Sequence, residues 1–255
     1  TSTRIKDQKG REWTGAAIIG CDGVKSVVRH NLIGDPHRVS GHVVYRAVCP
    51  KDEFPADLAW NSATLWGGPN CHLVHYPLRQ GEEYNIVVTF HSREKEEWGV
   101  REGSRDELLS YFNGISAKPR QLVERANTWQ RWATADRDPT TEWGKGRATL
   151  LGDAAHPPLQ YMAQGACMAL EDAVTLRETL RVCDRDIEKA FRMYETIRIP
   201  RTARIQLSAR EMGRIFHASG AERLVRNSLW KGRTQEQYRA AIDWLYGWKV
   251  DTCLD

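Results

Sequence analysis

Runs of apolar and β-branched residues dominate the first half of the chain and predict short strands. Residues 3–5, 13–19 and 41–49 form one set, with a turn signal at Lys9-Gly10. Residues 63–66, 72–76 and 84–90 form a second set, broken by turn residues at 67–70 and 79–81. Closely spaced strands with hairpin turns between them favour an antiparallel meander.

Helical periodicity replaces this pattern near Ser104. Residues 105–115 and 119–126 predict two helices, and residues 148–151 predict a short apolar strand that ends at Gly152. From Ala163 onward the pattern predicts helices nearly to the end, with interruptions at Pro200 and around Gly220. We therefore expect a β-rich first half and an α-rich last third.

Composition and charge narrow the class of protein. The 255 residues are 41% hydrophobic and include ten Trp, which excludes disorder for the bulk of the chain. The net charge is +4, and residues 177–240 carry 15 Lys+Arg against 8 Asp+Glu. These basic residues recur along helices without a compact cluster, so we interpret them as solvated helix faces and ion pairs, with an anionic partner as the alternative.

The sequence shows no pattern typical of a membrane span, a metal site or a secretory signal. Residues 154–170 contain no Asp, Glu, Lys or Arg but include prolines and glutamines, so we expect no membrane span. The six cysteines form no C-x-x-C pair and no zinc spacing with histidine. We expect reduced thiols in the cytoplasm, no metal site, and no secretory signal, since the sequence begins at Thr1 without an apolar leader.

The strongest local signal for chemistry follows the strand at 148–151. Asp153 stands at the end of that strand, ahead of a proline-rich loop and a helix that opens with small residues. Such a carboxylate can accept hydrogen bonds from a ribose, and the helix N-terminus favours an anionic ligand. The alternative is that Asp153 only caps the following turn.

A second, weaker signal lies at residues 17–29. An apolar strand again ends in Gly and Asp, at Gly20 and Asp22, before a short helix. This pattern is typical of a backbone that approaches a phosphate or ribose, and the two signals in this order are more specific than either alone.

Both signals resemble fingerprints of one family. Residues 20–29 match G-[AC]-D-G-x-x-S-x-V-R, and residues 152–157 match G-D-A-A-H-P. From about Thr1 to its C-terminus the chain resembles the class A, single-component FAD-dependent aromatic hydroxylases of the para-hydroxybenzoate and salicylate hydroxylase type. Residues 158–174, together with His72 and Tyr76, most resemble the 3-hydroxybenzoate 6-hydroxylases within that family.

The resemblance implies an α/β fold, with an α+β substrate domain on part of a Rossmann-like FAD-binding domain. That domain would be of the glutathione reductase type without its first βαβ unit, because no G-x-G-x-x-G occurs in the sequence. We therefore expect an N-terminally truncated chain. The expected segments are part of the FAD-binding domain at 1–35, a substrate-binding domain with an antiparallel sheet at 36–135, the FAD-binding Gly-Asp motif and helix at 136–185, and C-terminal helices at 186–255.

The resemblance also implies a reaction. NADH or NADPH reduces FAD, O2 adds to give a flavin hydroperoxide, and one oxygen passes to a phenolic acid, here 3-hydroxybenzoate to give 2,5-dihydroxybenzoate. The phenol must lose its proton, which requires a base with a pKa near neutrality. His72 is the expected base, or else a hydrogen-bonded sheet residue. Strand periodicity puts Tyr76 on the same face as His72, where it would join the hydrogen bonds to the phenol or else be a core aromatic. Gln160 would help to hold the phenol oxygen.

The cofactor-binding residues follow from the same resemblance. Asp153 would hold the flavin ribose, and Asp22 and Gly23 would lie near the flavin and pyridine-nucleotide pyrophosphates. Arg46 would approach the flavin ring from the second domain, unless it is only an exposed strand residue. The predicted FAD site is completed by Gly152, Pro157, Gly165 and Ala166, of which the last two would approach by backbone only.

Other functions stay open from the sequence. Salicylate 1-hydroxylase and 6-hydroxynicotinate 3-monooxygenase share the motifs, and a non-catalytic fragment that binds an aromatic acid or a partner is an alternative of another class. The expected partners are a small aromatic acid and O2, without nucleic acid. The aromatic strip at 244–248 would suit a homodimer contact or core packing.

Overall fold

A computed structural model describes residues 2–126, 128–252 and 254. The strands are β1 (Thr3–Lys6), β2 (Glu12–Gly15), β3 (Ile18–Gly20), β4 (Arg38–Pro50), β5 (Thr64–Gly68), β6 (Cys71–Leu78), β7 (Glu83–His91), β8 (Gly99–Glu102), β9 (Gln130–Asp136) and β10 (Ala148–Leu150). The α-helices are α1 (Val27–Leu32), α2 (Arg105–Tyr111), α3 (Ala117–Arg125), α4 (Gly165–Val182), α5 (Ile187–Phe216), α6 (Gly220–Trp230) and α7 (Gln235–Tyr246).

The chain divides into two compact units. The first unit contains Thr1–Arg38, Asp136–Glu211 and Thr234–Asp255, and the second contains Val39–Ala135 and Met212–Arg233. The predicted segment of C-terminal helices, 186–255, contributes to both units. Its residues are shared between the two units because α5 continues from one into the other.

The first unit contains a parallel pair of strands. β3 pairs with β10, with Gly20 opposite Leu150. A Cβ atom on Gly20 would lie 2.7 Å from Leu150 Cδ2 and 2.8 Å from Val28 Cβ, so this approach of strand and helix requires glycine. The apolar core beside the pair contains Trp143, Leu150, Ala154, Ala155, Leu176, Phe191 and Tyr194.

The predicted interruption at Pro200 is wrong. Helix α5 runs through Pro200 without a break. Proline removes one backbone hydrogen bond, but side chains on either side of it anchor the helix. Before Pro200, Arg198 Nε donates to Asp172 Oδ1 at 2.7 Å, and after it Arg201 Nε donates to Glu171 Oε2 at 2.7 Å. The predicted break around Gly220 is confirmed, since α5 ends at Phe216 and α6 begins at Gly220.

The second unit contains a six-stranded sheet in the order β5-β6-β7-β4-β9-β8. Strands β5, β6 and β7 form the predicted antiparallel meander, and its first turn places Asn70 at φ 58. One face of the sheet is apolar, with residues such as Leu73, Val88 and Tyr45 in a core that also contains Leu108 of α2 and Leu122 of α3. The opposite face carries the polar side chains described below.

Candidate active site

The predicted Gly-Asp motif lies where β10 ends. Gly152 takes φ 62, a left-handed conformation that glycine adopts without strain, and a 3-10 turn covers Gly152–Ala154. The Asp153 side chain is exposed and makes no hydrogen bond to any residue that the structure describes. It therefore does not cap the turn, and its carboxylate oxygens are available as acceptors.

A buried carboxylate that the sequence did not single out holds this turn from behind. Asp172 of α4 is fully buried and accepts hydrogen bonds from the Gly152 backbone N–H at 2.9 Å and from Arg198 Nε at 2.7 Å. His156 Nε2 lies 2.6 Å from Asp172 Oδ2, the oxygen that also accepts the Gly152 N–H. Burial acts to raise the pKa of Asp172, but the hydrogen bond with His156 and the charge of Arg198 lower it below the ordinary value.

A buried arginine joins the two sequence motifs. Arg29 donates to the carbonyl of Ala154 at 3.1 Å and also to that of Ala155. Its Nε and Nη2 atoms form a bidentate pair with Asp35, at 2.8 Å each. The guanidinium therefore connects helix α1, in the motif at residues 20–29, to the loop after Gly152, 125 residues further along the chain.

Asp22 is engaged within its own motif. Its carboxylate accepts hydrogen bonds from Ser26 Oγ at 2.5 Å and from the backbone N–H groups of Val27 and Val28 at 2.7 and 3.2 Å. Partial burial opposes ionisation, yet these hydrogen bonds lower the pKa of Asp22. Asp22 thus stabilises the start of α1, while the neighbouring Gly23, at φ 75, has open space where a Cβ would stand.

The N-terminus of α4 faces the exposed carboxylate. No side chain caps the helix at Gln164, and its first turn contains no acidic residue. A Cβ built on Gly165 would lie 3.7 Å from Asp153 Oδ1, so the bare backbone of Gly165 and Ala166 begins beside Asp153. Pro157 is buried in the intervening loop, where its carbonyl accepts a hydrogen bond from Gln206 at 3.4 Å.

Gln160 lies in the same loop, in the 3-10 turn Gln160–Met162. Its Nε2 atom is buried and has no hydrogen-bond partner among the described residues. A buried donor without a partner is costly, so a ligand contact at this amide stays a prediction.

In the second unit, His72 and Tyr76 lie on one face of β6, as their spacing predicts. His72 pairs in register with Thr89 of β7, and Tyr76 pairs with Asn85. Thr89 Oγ1 and Asn85 Nδ2 are buried without a hydrogen-bond partner in the described part of the chain. This face therefore presents an imidazole, a phenol and two unsatisfied polar atoms.

His72 has a partner that the sequence did not indicate. Its Nδ1 atom lies 2.8 Å from Nε2 of His217, which follows the last turn of α5. Burial, reinforced by the neighbouring His42, lowers the pKa of His72 to about 3. Because the imidazole loses its hydration in the sheet, its pKa lies below the near-neutral value expected of the base.

Arg46 is exposed on the same face of the sheet, and its Nε donates to Asn85 Oδ1 at 2.6 Å. An open groove of about 650 Å³ lies beside it, lined by Arg46, Ala47, Val48, Val100, Arg101, Glu102, Thr128, Trp129 and Gln130. This groove contains neither His72 nor Tyr76, so its volume alone does not mark the catalytic position.

The structure thus brings together the predicted residues in two sets. Gly152, Asp153, Pro157, Gly165 and Ala166 share one region of the first unit, and His72, Tyr76 and Arg46 share the polar sheet face of the second. Sequence reasoning missed Asp172, Arg198, Thr89, Asn85 and His217. Strand periodicity was a usable signal for Thr89 and Asn85 only, since the others act across long separations.

Comparison with known proteins places the chain in a family. The profile of the FAD binding domain family matches residues 2–206, which is most of the sequence. The chain belongs to this family.

Relatives of this FAD-binding chain include named hydroxylases. It is 62% identical over 251 residues to the 3-hydroxybenzoate 6-hydroxylase of Klebsiella oxytoca, covering 98% of the chain and 63% of that relative. It is 65% identical to 3-hydroxybenzoate 6-hydroxylase 2 of Aquipseudomonas alcaligenes, covering 99% of the chain and 79% of the relative. The chain therefore spans less than two thirds of the length of the Klebsiella relative.

The fold agrees with a solved structure. A salicylate hydroxylase substrate complex superimposes with a TM-score of 0.86 at 24% identity, over 99% of this chain and 66% of that one. The expected α/β fold, with an antiparallel sheet in one part and a parallel strand pair in the other, is confirmed.

The residues of the first unit fit FAD. Asp153 offers an exposed acceptor without a competing partner, as a ribose hydroxyl requires. The uncapped N-terminus of α4 offers backbone N–H donors, as a pyrophosphate requires. Both features lie at the end of β10, and Asp172 and Arg29 hold them there. The FAD-binding family and this geometry agree.

Other kinds of site are absent from the described residues. No group of three or more His, Cys, Asp or Glu side chains there could hold a metal ion. In the same residues no helix is long and apolar enough to cross a membrane. The described cysteines, Cys21, Cys49, Cys71, Cys167 and Cys183, are free thiols.

Proposed function

We propose that the protein carrying this chain hydroxylates 3-hydroxybenzoate to 2,5-dihydroxybenzoate. In the balanced reaction, 3-hydroxybenzoate, NADH, O2 and a proton yield 2,5-dihydroxybenzoate, NAD⁺ and water. Support comes from the FAD-binding family and from relatives above 60% identity that are named 3-hydroxybenzoate 6-hydroxylases.

The observation that carries the proposal is the polar face of β6 and β7. An enzyme for a phenolic acid needs a base for the hydroxyl and polar groups that orient the ring. His72 supplies the base, with the Tyr76 hydroxyl on the same face. The unsatisfied atoms of Thr89 and Asn85 supply polar groups that can orient the ring. A substrate that satisfied these atoms would repay the cost of their burial.

The chain's own residues would then perform the following roles. When bound, FAD supplies hydride acceptance from NADH and the activation of O2. Asp153 and the N-terminus of α4 hold the cofactor, and Asp172 and Arg29 keep their loop in place. His72 removes the phenol proton at Nε2, and Tyr76 donates a hydrogen bond on the same face. The burial of His72 excludes bulk water from the proton transfer.

The roles predicted for Gln160, Asp22, Gly23 and Arg46 stay proposals. The unsatisfied Nε2 of Gln160 supports a ligand contact, and the hydrogen bond from Arg46 to Asn85 holds that arginine on the polar face. For Asp22 a structural role at the start of α1 already accounts for its hydrogen bonds.

A substrate panel tests the proposed function. The FAD-loaded protein, expressed from its complete coding sequence, is assayed with 2-, 3- and 4-hydroxybenzoate and 6-hydroxynicotinate for NADH oxidation and for hydroxylated product. We expect matched oxidation and product with 3-hydroxybenzoate. Oxidation without product from this acid, or matched product from salicylate alone, would overturn the assignment.

A variant at His72 tests the base. We expect His72→Asn to lower the rate of hydroxylation by about 10²- to 10⁴-fold while leaving FAD content unchanged. His30→Gln, at an exposed histidine of α1, is the matched control and should behave as wild type. Equal rates for His72→Asn and the control would remove His72 from the mechanism.

Cytoplasmic location and a homodimer are further parts of the proposal. Free thiols and the use of NADH support a reducing compartment. For the dimer the support is weaker, because Trp244 and Trp248 stack on Arg204 and Arg201 within the first unit, at 3.9 and 4.5 Å. Sedimentation of the FAD-loaded protein at several concentrations decides whether it is a dimer.

A further inference from the structure

Four histidines gather on the polar side of the sheet in the second unit. His72 Nδ1 lies 2.8 Å from His217 Nε2. The ring of His217 is 5.1 Å from that of His42, and the ring of His42 is 5.1 Å from that of His91, both in edge-to-face geometry. The four rings therefore form a continuous series from His72 on β6 to His91 at the end of β7.

Burial decreases along this series. His72 and His217 are 4% and 8% exposed, His42 is half-buried, and His91 is exposed. The backbone fixes the position of His217, because its carbonyl accepts a hydrogen bond from the Asn70 N–H at 2.9 Å, in the turn between β5 and β6. One end of the series is thus at the candidate base and the other is at solvent.

Histidines act on the pKa values of the pair. His42 lowers the pKa of His72, and His72, His42 and His91 lower that of His217. Arg226 of α6 adds a positive charge on the β5 side, since its Nη1 atom would lie 3.1 Å from a Cβ on Gly67, the cross-strand partner of His72. Burial together with the neighbouring histidines lowers the pKa of His72 to about 3 and of His217 to about 2. Both rings are therefore neutral at pH 7.

This neutrality creates a difficulty for a single base. An imidazole that accepts a proton in this environment becomes a buried cation, which desolvation strongly disfavours. The difficulty disappears if the proton does not stay on His72.

We propose that His217 is the positioning residue of His72 and receives its proton, so that the pair conducts the phenol proton toward solvent. The phenol O–H proton bonds to Nε2 of His72 while the Nδ1 proton of His72 passes to Nε2 of His217. The Nδ1 proton of His217 then leaves toward His42, His91 and water. One proton enters, one leaves, and both imidazoles finish neutral with exchanged tautomers. The reverse transfer restores them when a solvent proton returns to the product oxygen.

The inference rests on the proposed function of His72, and its test separates the two. Binding of 3-hydroxybenzoate to the FAD-loaded protein is followed by stopped-flow absorbance of the phenol and phenolate forms, without NADH. Wild type, His72→Asn, His217→Gln, His217→Leu and the control His30→Gln are compared. FAD content and thermal unfolding report whether each variant folds.

His217→Gln distinguishes proton transfer from simple positioning. The glutamine amide can accept the hydrogen bond of His72 Nδ1–H, but it cannot pass a proton on. We expect the ionisation rate of the bound phenol to fall about 100-fold in both His217 variants. Added imidazole should restore a large part of the rate in His217→Leu, and the pH profile of ionisation should change shape in both.

The other outcomes overturn the inference. Wild-type rates in His217→Gln with a loss only in His217→Leu would show that His217 positions His72 without taking its proton. Wild-type rates in both His217 variants, with ionisation lost in His72→Asn, would overturn the relay and leave the proposed function intact. Failure of wild type to ionise the bound phenol would overturn both.

Discussion

Each unit contains a buried polar cluster, and the two clusters are built on opposite principles. In the first unit Asp172 is surrounded by Arg198, His156 and the Gly152 N–H, so a full negative charge is matched by donors and an opposite charge. In the second unit His72 and His217 pair with each other, and burial keeps both neutral. A matched charge holds its neighbours in one geometry, whereas neutral imidazoles can exchange protons.

The difference corresponds to the task of each cluster. The Asp172 cluster supports a turn whose exposed carboxylate, Asp153, is proposed to hold FAD, and any motion there would misplace the acceptor. The histidine pair is proposed to move a proton, which requires two states of nearly equal energy. Variants that remove a charge in the first cluster or add one in the second test this contrast.

The largest effect on stability is expected at Asp172. Asp172→Asn removes the fully buried carboxylate that pairs with Arg198 and leaves only Glu171 as a counter-charge, so the free energy of unfolding should fall by about 3 kcal/mol. Urea unfolding of the FAD-free protein measures it. Glu124→Gln, which removes an exposed ion pair with Arg120, is the matched control and should cost about 1 kcal/mol or less. Equal losses in both variants would contradict the distinction drawn here.

Acid should act on the histidine pair before it acts on Asp172. The pKa values of His72 and His217 are lowered in the folded chain, so below pH 6.5 the unfolded state binds more protons and stability falls as the pH falls, down to about pH 3 for His72 and about 2 for His217. Between pH 7 and 5 each histidine should cost about 2 kcal/mol. The lowered pKa of Asp172 keeps its carboxylate ionised over this range.

A variant isolates this acid effect. His217→Leu should lose about 2 kcal/mol less than wild type between pH 7 and 5, as measured by urea unfolding at both pH values. His30→Gln, at an exposed position, should follow wild type. An unchanged loss in His217→Leu would show that the acid sensitivity arises elsewhere.

A smaller effect is expected where a polar group only caps a helix. Ser26 Oγ accepts the Arg29 N–H at 2.8 Å and donates to Asp22. Ser26→Ala should lower the free energy of unfolding by about 1 kcal/mol, seen in urea unfolding, while Ser26→Thr retains most of the stability. A loss as large as that of Asp172→Asn would mean that the cap also supports the buried Arg29 contacts.

The smallest effect on stability is expected at Asp153, because its carboxylate has no partner among the described residues. Asp153→Asn should change the free energy of unfolding by less than about 0.5 kcal/mol. Its FAD affinity, measured by flavin fluorescence titration, should nevertheless fall clearly. Asp22→Asn is the informative comparison, since Asp22 makes several hydrogen bonds within the chain and should lose stability instead. Unchanged FAD affinity in Asp153→Asn would remove this residue from the cofactor site.

Local patterns determined the parts of this protein that depend on short separations. Period-2 alternation placed His72 and Tyr76 on one face of β6, and turn residues located the hairpins of the meander. The strand, Gly-Asp turn and small-residue helix at 148–173 predicted the position of Asp153, since adjacent residues decide each of those elements.

Tertiary structure alone decided what those elements contact. Arg29 reaches Ala154 across 125 residues, and His72 meets His217 across 145, distances at which a single sequence carries no pairing signal. Pro200 remains helical because long-range anchors compensate for its missing hydrogen bond. The pKa of His72 likewise depends on burial by distant residues. Residue type therefore determined which groups were available, and packing determined their charge state and partners.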